Sequence, residues 1–161
     1  DDIRMVFIGV GCDESKLTKR MINIGFVSSR EDIRDIYSAA DVMVNCTREE
    51  SLSLLNLEVQ ACGTPVVTYS NTGVKETVDG ICSFAVENAC YEVLWNKTMD
   101  VLLKGKVYYQ SDCINWVKDN FDKNNNYCQG CKINIGTMNK IPCLRSNYIK
   151  PLTKKLCLII L

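Results

Sequence analysis

Two carboxylates, Glu50 and Glu58, are separated by seven residues in a stretch that is otherwise mostly apolar: Asn45-Cys-Thr-Arg-Glu-Glu50-Ser-Leu-Ser-Leu-Leu-Asn-Leu-Glu58-Val-Gln-Ala-Cys-Gly63. Glu50 follows a short β-branched run and so falls at the C-terminal end of a strand, where an open α/β sheet places its ligands. Glu58 falls on a helix with little other polar surface. A buried charge without a partner costs several kcal/mol, so the Glu58 carboxylate reaches solvent, pairs with a donor in the protein, or accepts hydrogen bonds from ligand hydroxyls.

The flanking elements follow from periodicity and turn chemistry. Asp41-Val-Met-Val-Asn45 suits a strand, and the polar cluster Asn45 to Ser51 ends it. A helix then starts at a cap, Ser51 or Ser53. Leu54, Leu55, Leu57, Val59, Ala61 and Cys62 give it the apolar surface of a helix packed on a sheet, Gly63 supplies a left-handed stop, and Pro65 forbids continuation. Pro65 to Tyr69 is a buried strand. Upstream, Met5 to Gly11 is a buried strand ending in glycines; Gly9-Val-Gly11 is turn chemistry, with a phosphate cradle as the alternative. Asp13 caps a short polar helix to Arg20, Asn23 to Val27 is a strand, and Ser29 caps a helix over Arg30 to Ala40 whose apolar side is Ile33, Ile36, Tyr37 and Ala40.

Beyond Tyr69, Ser70 to Gly73 is a turn at the same sheet edge. Val74 to Asp79 makes one or two helical turns whose first N–H groups form an anion site by geometry. Ser83 to Val86 is a last short strand. Tyr91 to Leu103 and Ser111 to Phe121 are helices, the first with the stripe Leu94, Trp95, Thr98, Val101 and Leu102, the second anchored by Trp116 and Phe121. Strands alternating with helices at this rhythm predict an α/β fold with a doubly wound parallel sheet, helices on both faces.

Composition narrows the function classes. Residues 1–122 carry 12 basic and all 19 acidic side chains, whereas residues 123–161 carry 7 basic and no acidic ones, so a net charge of −7 is followed by +7. No basic surface with interleaved aromatics marks nucleic acid as a partner. The chain has ten cysteines and no histidine. Those in the main part are dispersed singly, which fits the reduced thiols of a cytoplasmic protein. Cys128, Cys131, Cys143 and Cys157 lack the second tight pair of a zinc knuckle, so no metal is expected. No segment approaches the ~20 apolar residues of a membrane span.

Glu50 and Glu58, joined to Ser38-Ala-Ala-Asp-Val-Met-Val-Asn45 before them and to Ala61-Cys-Gly-Thr-Pro-Val-Val-Thr-Tyr69 after them, resemble the E-x7-E region of the retaining nucleotide-sugar glycosyltransferases of GT-B architecture, family four. Asn71 to Asp79 and Phe84 to Asn88 resemble the continuation in members that assemble bacterial polysaccharides. The likeness covers about residues 3 to 127, all in the C-terminal, donor-binding domain of that architecture.

The resemblance implies transfer of a sugar, with retention, from a nucleotide-sugar that is a substrate; no cofactor is implied. Glu50 would meet the donor sugar's hydroxyls as the catalytic carboxylate. Ser53, Leu54 and Leu55 would offer backbone N–H groups to the diphosphate, Glu58 would bind the ribose hydroxyls, and Gly73 would border the donor. The acceptor would bind an N-terminal domain outside this chain. Residues 1–122 are thus expected to be a nucleotide-sugar-binding domain without its first, central strand, so that the strands on either side of the gap pair with each other or lie open. The cationic clamp of the family would precede Asp1, with Arg48 and Lys75 as the nearest substitutes. Ser51, Leu52 and Ser53 stand where the family has glycine, and the Asn71-Thr-Gly73 turn is one residue short of the family's and lacks its second glycine. Residues 123–161 are expected to form a basic, cysteine-containing tail outside the fold. The rival functions are an α/β binding module without catalysis and a sugar-nucleotide epimerase of the same architecture.

Overall fold

A computed structural model describes residues 3–47, 49–87, 90–121 and 155–160. The strands are β1 (Ile3–Ile8), β2 (Met21–Gly25), β3 (Val42–Asn45), β4 (Val66–Tyr69), β5 (Phe84–Val86) and β6 (Lys155–Ile160). The helices are α1 (Arg30–Ala39), α2 (Leu54–Ala61), α3 (Tyr91–Lys104) and α4 (Lys106–Phe121), with 3₁₀ helices at Glu14–Lys16 and Thr72–Thr77. The strands form one sheet in the order β2-β1-β6-β3-β4-β5, and every pairing is parallel. This is the α/β, Rossmann-like architecture expected from the alternation of strands and helices.

Side chains alternate between two apolar layers. Met43, Val66, Leu156 and Leu158 pack with Ile36 and Tyr37 of α1 and Val59 of α2. Val42, Val44, Val67, Tyr69 and Cys157 pack with Leu94, Val101 and Leu102 of α3 and Tyr109 and Cys113 of α4. Local signals fixed several boundaries. The Ser29 hydroxyl accepts from the Asp32 N–H at 3.2 Å and starts α1. Gly63 takes φ 74° directly after α2, and a Cβ there would lie 2.6 Å from Gln110 of α4, so the stop and the helix contact both require glycine.

Four expectations need correction. The polar helix after Asp13 is a single turn, Glu14–Lys16, because the backbone goes extended at Leu17 (φ −73°, ψ 136°) on the way into β2. α4 begins five residues before Ser111, at Lys106, whose ammonium donates to the Ser38 carbonyl at 2.6 Å. Trp95 is 36% exposed, off the buried side of α3 that Leu94, Thr98, Val101 and Leu102 form.

The fourth is larger. β6 stands between β1 and β3, in the place expected to be empty, so those two strands neither pair with each other nor lie open. The segment after residue 122 therefore contributes Lys155–Ile160 to the fold; residues 122–154 lie outside the described residues. Leu156, Cys157 and Leu158 are at most 3% exposed, and a run that is apolar on both faces is what a central parallel strand requires. Asp41 pins it: its N–H donates to the Leu156 carbonyl at 2.9 Å and its carboxylate accepts from the Leu156 N–H at 2.7 Å. Lys155 donates to the Leu102 carbonyl in the last turn of α3, where a cation offsets the helix dipole.

Candidate functional site

Because the sheet is all parallel, the C-terminal ends of β1, β3 and β4 share one edge. Two connections converge on it: the loop from Asn45 to Ser53, which leads into α2, and the segment from Ser70 into the 3₁₀ helix Thr72–Thr77. A Cβ built on Gly73 would lie 1.6 Å from the Ser51 carbonyl oxygen. The two backbones are thus in direct contact, and only glycine permits it. Glu50, half-buried, immediately precedes that contact.

Ser53 precedes α2 as its cap residue yet makes no side-chain cap bond. Its hydroxyl instead accepts from Asn45 Nδ2 at 3.1 Å. Helix geometry leaves the first N–H groups of α2 without intrahelical acceptors, and the dipole there favours negative charge. The Leu54 N–H bends back to the Leu52 carbonyl at 3.1 Å and the Asn56 N–H to the Ser53 carbonyl at 3.1 Å. Of the residues expected to hold an anion, Ser53 and Leu55 therefore present their N–H groups more openly than Leu54 does.

Glu58 lies in the second turn of α2, toward α1. Burial pushes its carboxyl above the usual carboxylate range, and the Arg30 guanidinium at the start of α1 pulls the other way. No hydrogen bond to this carboxylate is seen among the described residues. The Tyr37 hydroxyl is raised by its own burial and then by the Glu58 charge. Of the proposed cationic substitutes, Lys75 is exposed and Arg48 lies outside the described residues.

The profile of the family described as Glycosyl transferases group 1 matches residues 1–103, more than half of the chain. The chain belongs to that family. Among curated members, the D-inositol 3-phosphate glycosyltransferase of Mycobacterium sp. (strain KMS) is 40% identical over 77 residues, which cover 47% of this chain and 17% of the relative. The enzymes of the same name from Streptosporangium roseum (44% over 59 residues, 36% of this chain and 14% of the relative) and Geodermatophilus obscurus (45% over 58 residues, 35% and 13%) are also similar. The matched stretch thus spans under a fifth of each of these relatives. Residues 1–103 thus carry a domain of the group 1 glycosyl transferase family.

Periodicity pointed to the site's frame but not to the polar side chains that hold it. Asn45, Asn56, Gln60 and Thr77 are all at most 4% exposed. Asn45 Nδ2 donates to Asn56 Oδ1 at 2.9 Å, and Asn56 Nδ2 to Thr77 Oγ1 at 2.8 Å. Gln60 Nε2 donates to the carbonyls of Asn56 (2.9 Å) and Thr77 (2.7 Å). Polar residues in loops and on a short helix look like solvent-facing ones, and no local pattern tells them apart. Cys157, weighed as a zinc ligand, is a core residue of β6 whose thiol burial pushes up to about 12, while Cys128, Cys131 and Cys143 lie outside the described residues. Among the described residues no group of three or more His, Cys, Asp or Glu side chains could hold a metal ion. No helix among them is long and apolar enough to cross a membrane.

Proposed function

We propose that this domain is the donor-binding half of a retaining glycosyltransferase and that its ligand is a nucleotide-sugar. The observation that carries the reading is the convergence of Gly73, the Glu50–Ser51 segment and the uncapped start of α2 on the ligand edge of a parallel sheet. A diphosphate fits there because its oxygens would take the Ser53 and Leu55 N–H groups, with Leu54 completing the turn. Glu50, next to the Gly73 contact, would accept the hydroxyl protons of the donor sugar and bear on the reacting carbon. Glu58, partly buried and without a hydrogen-bond donor among the described residues, would find its partners in the two ribose hydroxyls. The acceptor would come from an N-terminal domain across a cleft, and the polysaccharide-assembly type is the reading that the motifs favour.

Calorimetry with uridine, guanosine and adenosine diphosphate sugars tests this. Binding of one of them that Glu58→Ala abolishes is the expected result. Equal affinity in the variant, or no binding by a protein that also carries the N-terminal domain, would sink it.

A further inference from the structure

We propose that the buried chain Asn45–Asn56–Thr77, braced by Gln60, is the positioning device of this site. It holds the Gly73 segment at a fixed distance from the start of α2 and draws the Ser53 hydroxyl off the helix terminus, leaving N–H groups there for anionic oxygens. This rests on the donor-site reading above.

The bonds run in one direction. Asn45 at the end of β3 donates to Ser53 and to Asn56, Asn56 donates to Thr77, and the Thr77 hydroxyl donates to the Val74 carbonyl at 2.6 Å. A strand end, a helix start and the Gly73-bearing 3₁₀ helix are thereby tied by groups that water does not reach. Gln60 closes the brace, and since both its acceptors are carbonyls its amide can stand only one way round. Asn45 also accepts from the Thr47 N–H at 2.9 Å, which turns the chain out of β3 toward Glu50.

Apolar side chains of similar size would fill this space with no polar group to satisfy, as they do around Leu57 and Val59 in the same helix. What apolar packing does not supply is direction. Hydrogen bonds at 2.6–3.1 Å fix separation and angle, whereas greasy surfaces slide. The Gly73–Ser51 contact needs that fixity, because a small displacement would either open it or force the two backbones together. The diversion of Ser53 is the second sign. A serine before a helix ordinarily accepts from the second or third N–H, and here Asn45 holds its oxygen instead.

Amide hydrogen exchange on the whole chain without ligand, comparing wild type with Thr77→Val, Thr77→Ser and Ser53→Ala, tests the proposal. Thr77→Val keeps the shape and removes the hydroxyl; it is expected to speed exchange at the hydrogen-bonded Asn56 and Val74 amides by about tenfold or more over Val44 and Val67, while Thr77→Ser stays at wild-type rates. Ser53→Ala is expected to leave the Leu55 rate unchanged, since no cap bond is lost. Uniform acceleration by Thr77→Val, its failure to fold where Thr77→Ser folds, or faster Leu55 exchange in Ser53→Ala would overturn the assignment. Adding uridine diphosphate to wild type separates the two readings: no protection of Ser53 to Leu55 would count against the donor site alone, because the other arms need no ligand.

Discussion

Glu58 and Gly73 carry opposite kinds of constraint, one of charge and one of space. The folded protein binds the Glu58 proton more tightly than the unfolded chain does, because burial raises its carboxyl. The ionised group therefore destabilises the fold above the folded pKa, and that penalty fades as pH falls toward the unfolded value. Glu58→Gln is expected to raise Tm at pH about 7 by about 1–2 °C, a small gain because the carboxylate is partly solvated, and to leave it unchanged near pH about 4. Thermal scans at the two pH values check the sign; stabilisation that grows toward acid would refute it. Gly73→Ala sets a Cβ against the Ser51 carbonyl at 1.6 Å. Overpacking of this kind costs about 1–3 kcal/mol, or roughly 2–12 °C in Tm. Amide shifts at Ser51 and Ser53 in NMR spectra should report the loop moving aside. Both residues stood out in the sequence by type and spacing. Asn56 and Thr77 did not, because a buried polar side chain is recognised by its partner, and Thr77 lies 21 residues from Asn56.

At the scale of elements, the strands and helices up to Phe121 were legible wherever a cap or an apolar repeat acts locally. Ser29 before α1 and Gly63 after α2 are such signals, and Val42 to Asn45 needed only its β-branched alternation. β6 was not legible. Leu156-Cys-Leu-Ile-Ile160 is β-prone and uncharged whether it aggregates or fills a sheet, and the choice depends on β1 and β3, more than a hundred residues away. The domain boundary suggested by the charge switch remains a proposal for residues 123–154. Leu158, 1% exposed, tests the strand's place. Leu158→Ala is expected to cost about 2–5 kcal/mol in urea unfolding, whereas a value within about 0.5 kcal/mol of wild type would remove β6 from the core.

For the molecule as a whole, a matched stretch covering 17% of the Mycobacterium enzyme makes turnover by this chain alone unexpected. On the donor-site reading, a diphosphate that met only backbone N–H groups would forgo charge-assisted bonds worth about 1.5–3 kcal/mol each. Two such bonds amount to a factor on the order of 10² to 10⁴ in Kd, so weak nucleotide-sugar binding and no sugar transfer are expected. Radiolabelled transfer assays on this chain beside a two-domain protein would show whether that holds. The central place of β6 has a kinetic side. In synthesis it emerges after both ribbons it must join, β2-β1 and β3-β4-β5, and its pairing of Lys155 with Ile3 spans nearly the whole chain. Until it arrives, each ribbon presents an unpaired strand edge that is open to pairing with another nascent chain. Crowding of polysomes, rather than the equilibrium stability of the finished sheet, would then set how much of this protein reaches its folded state.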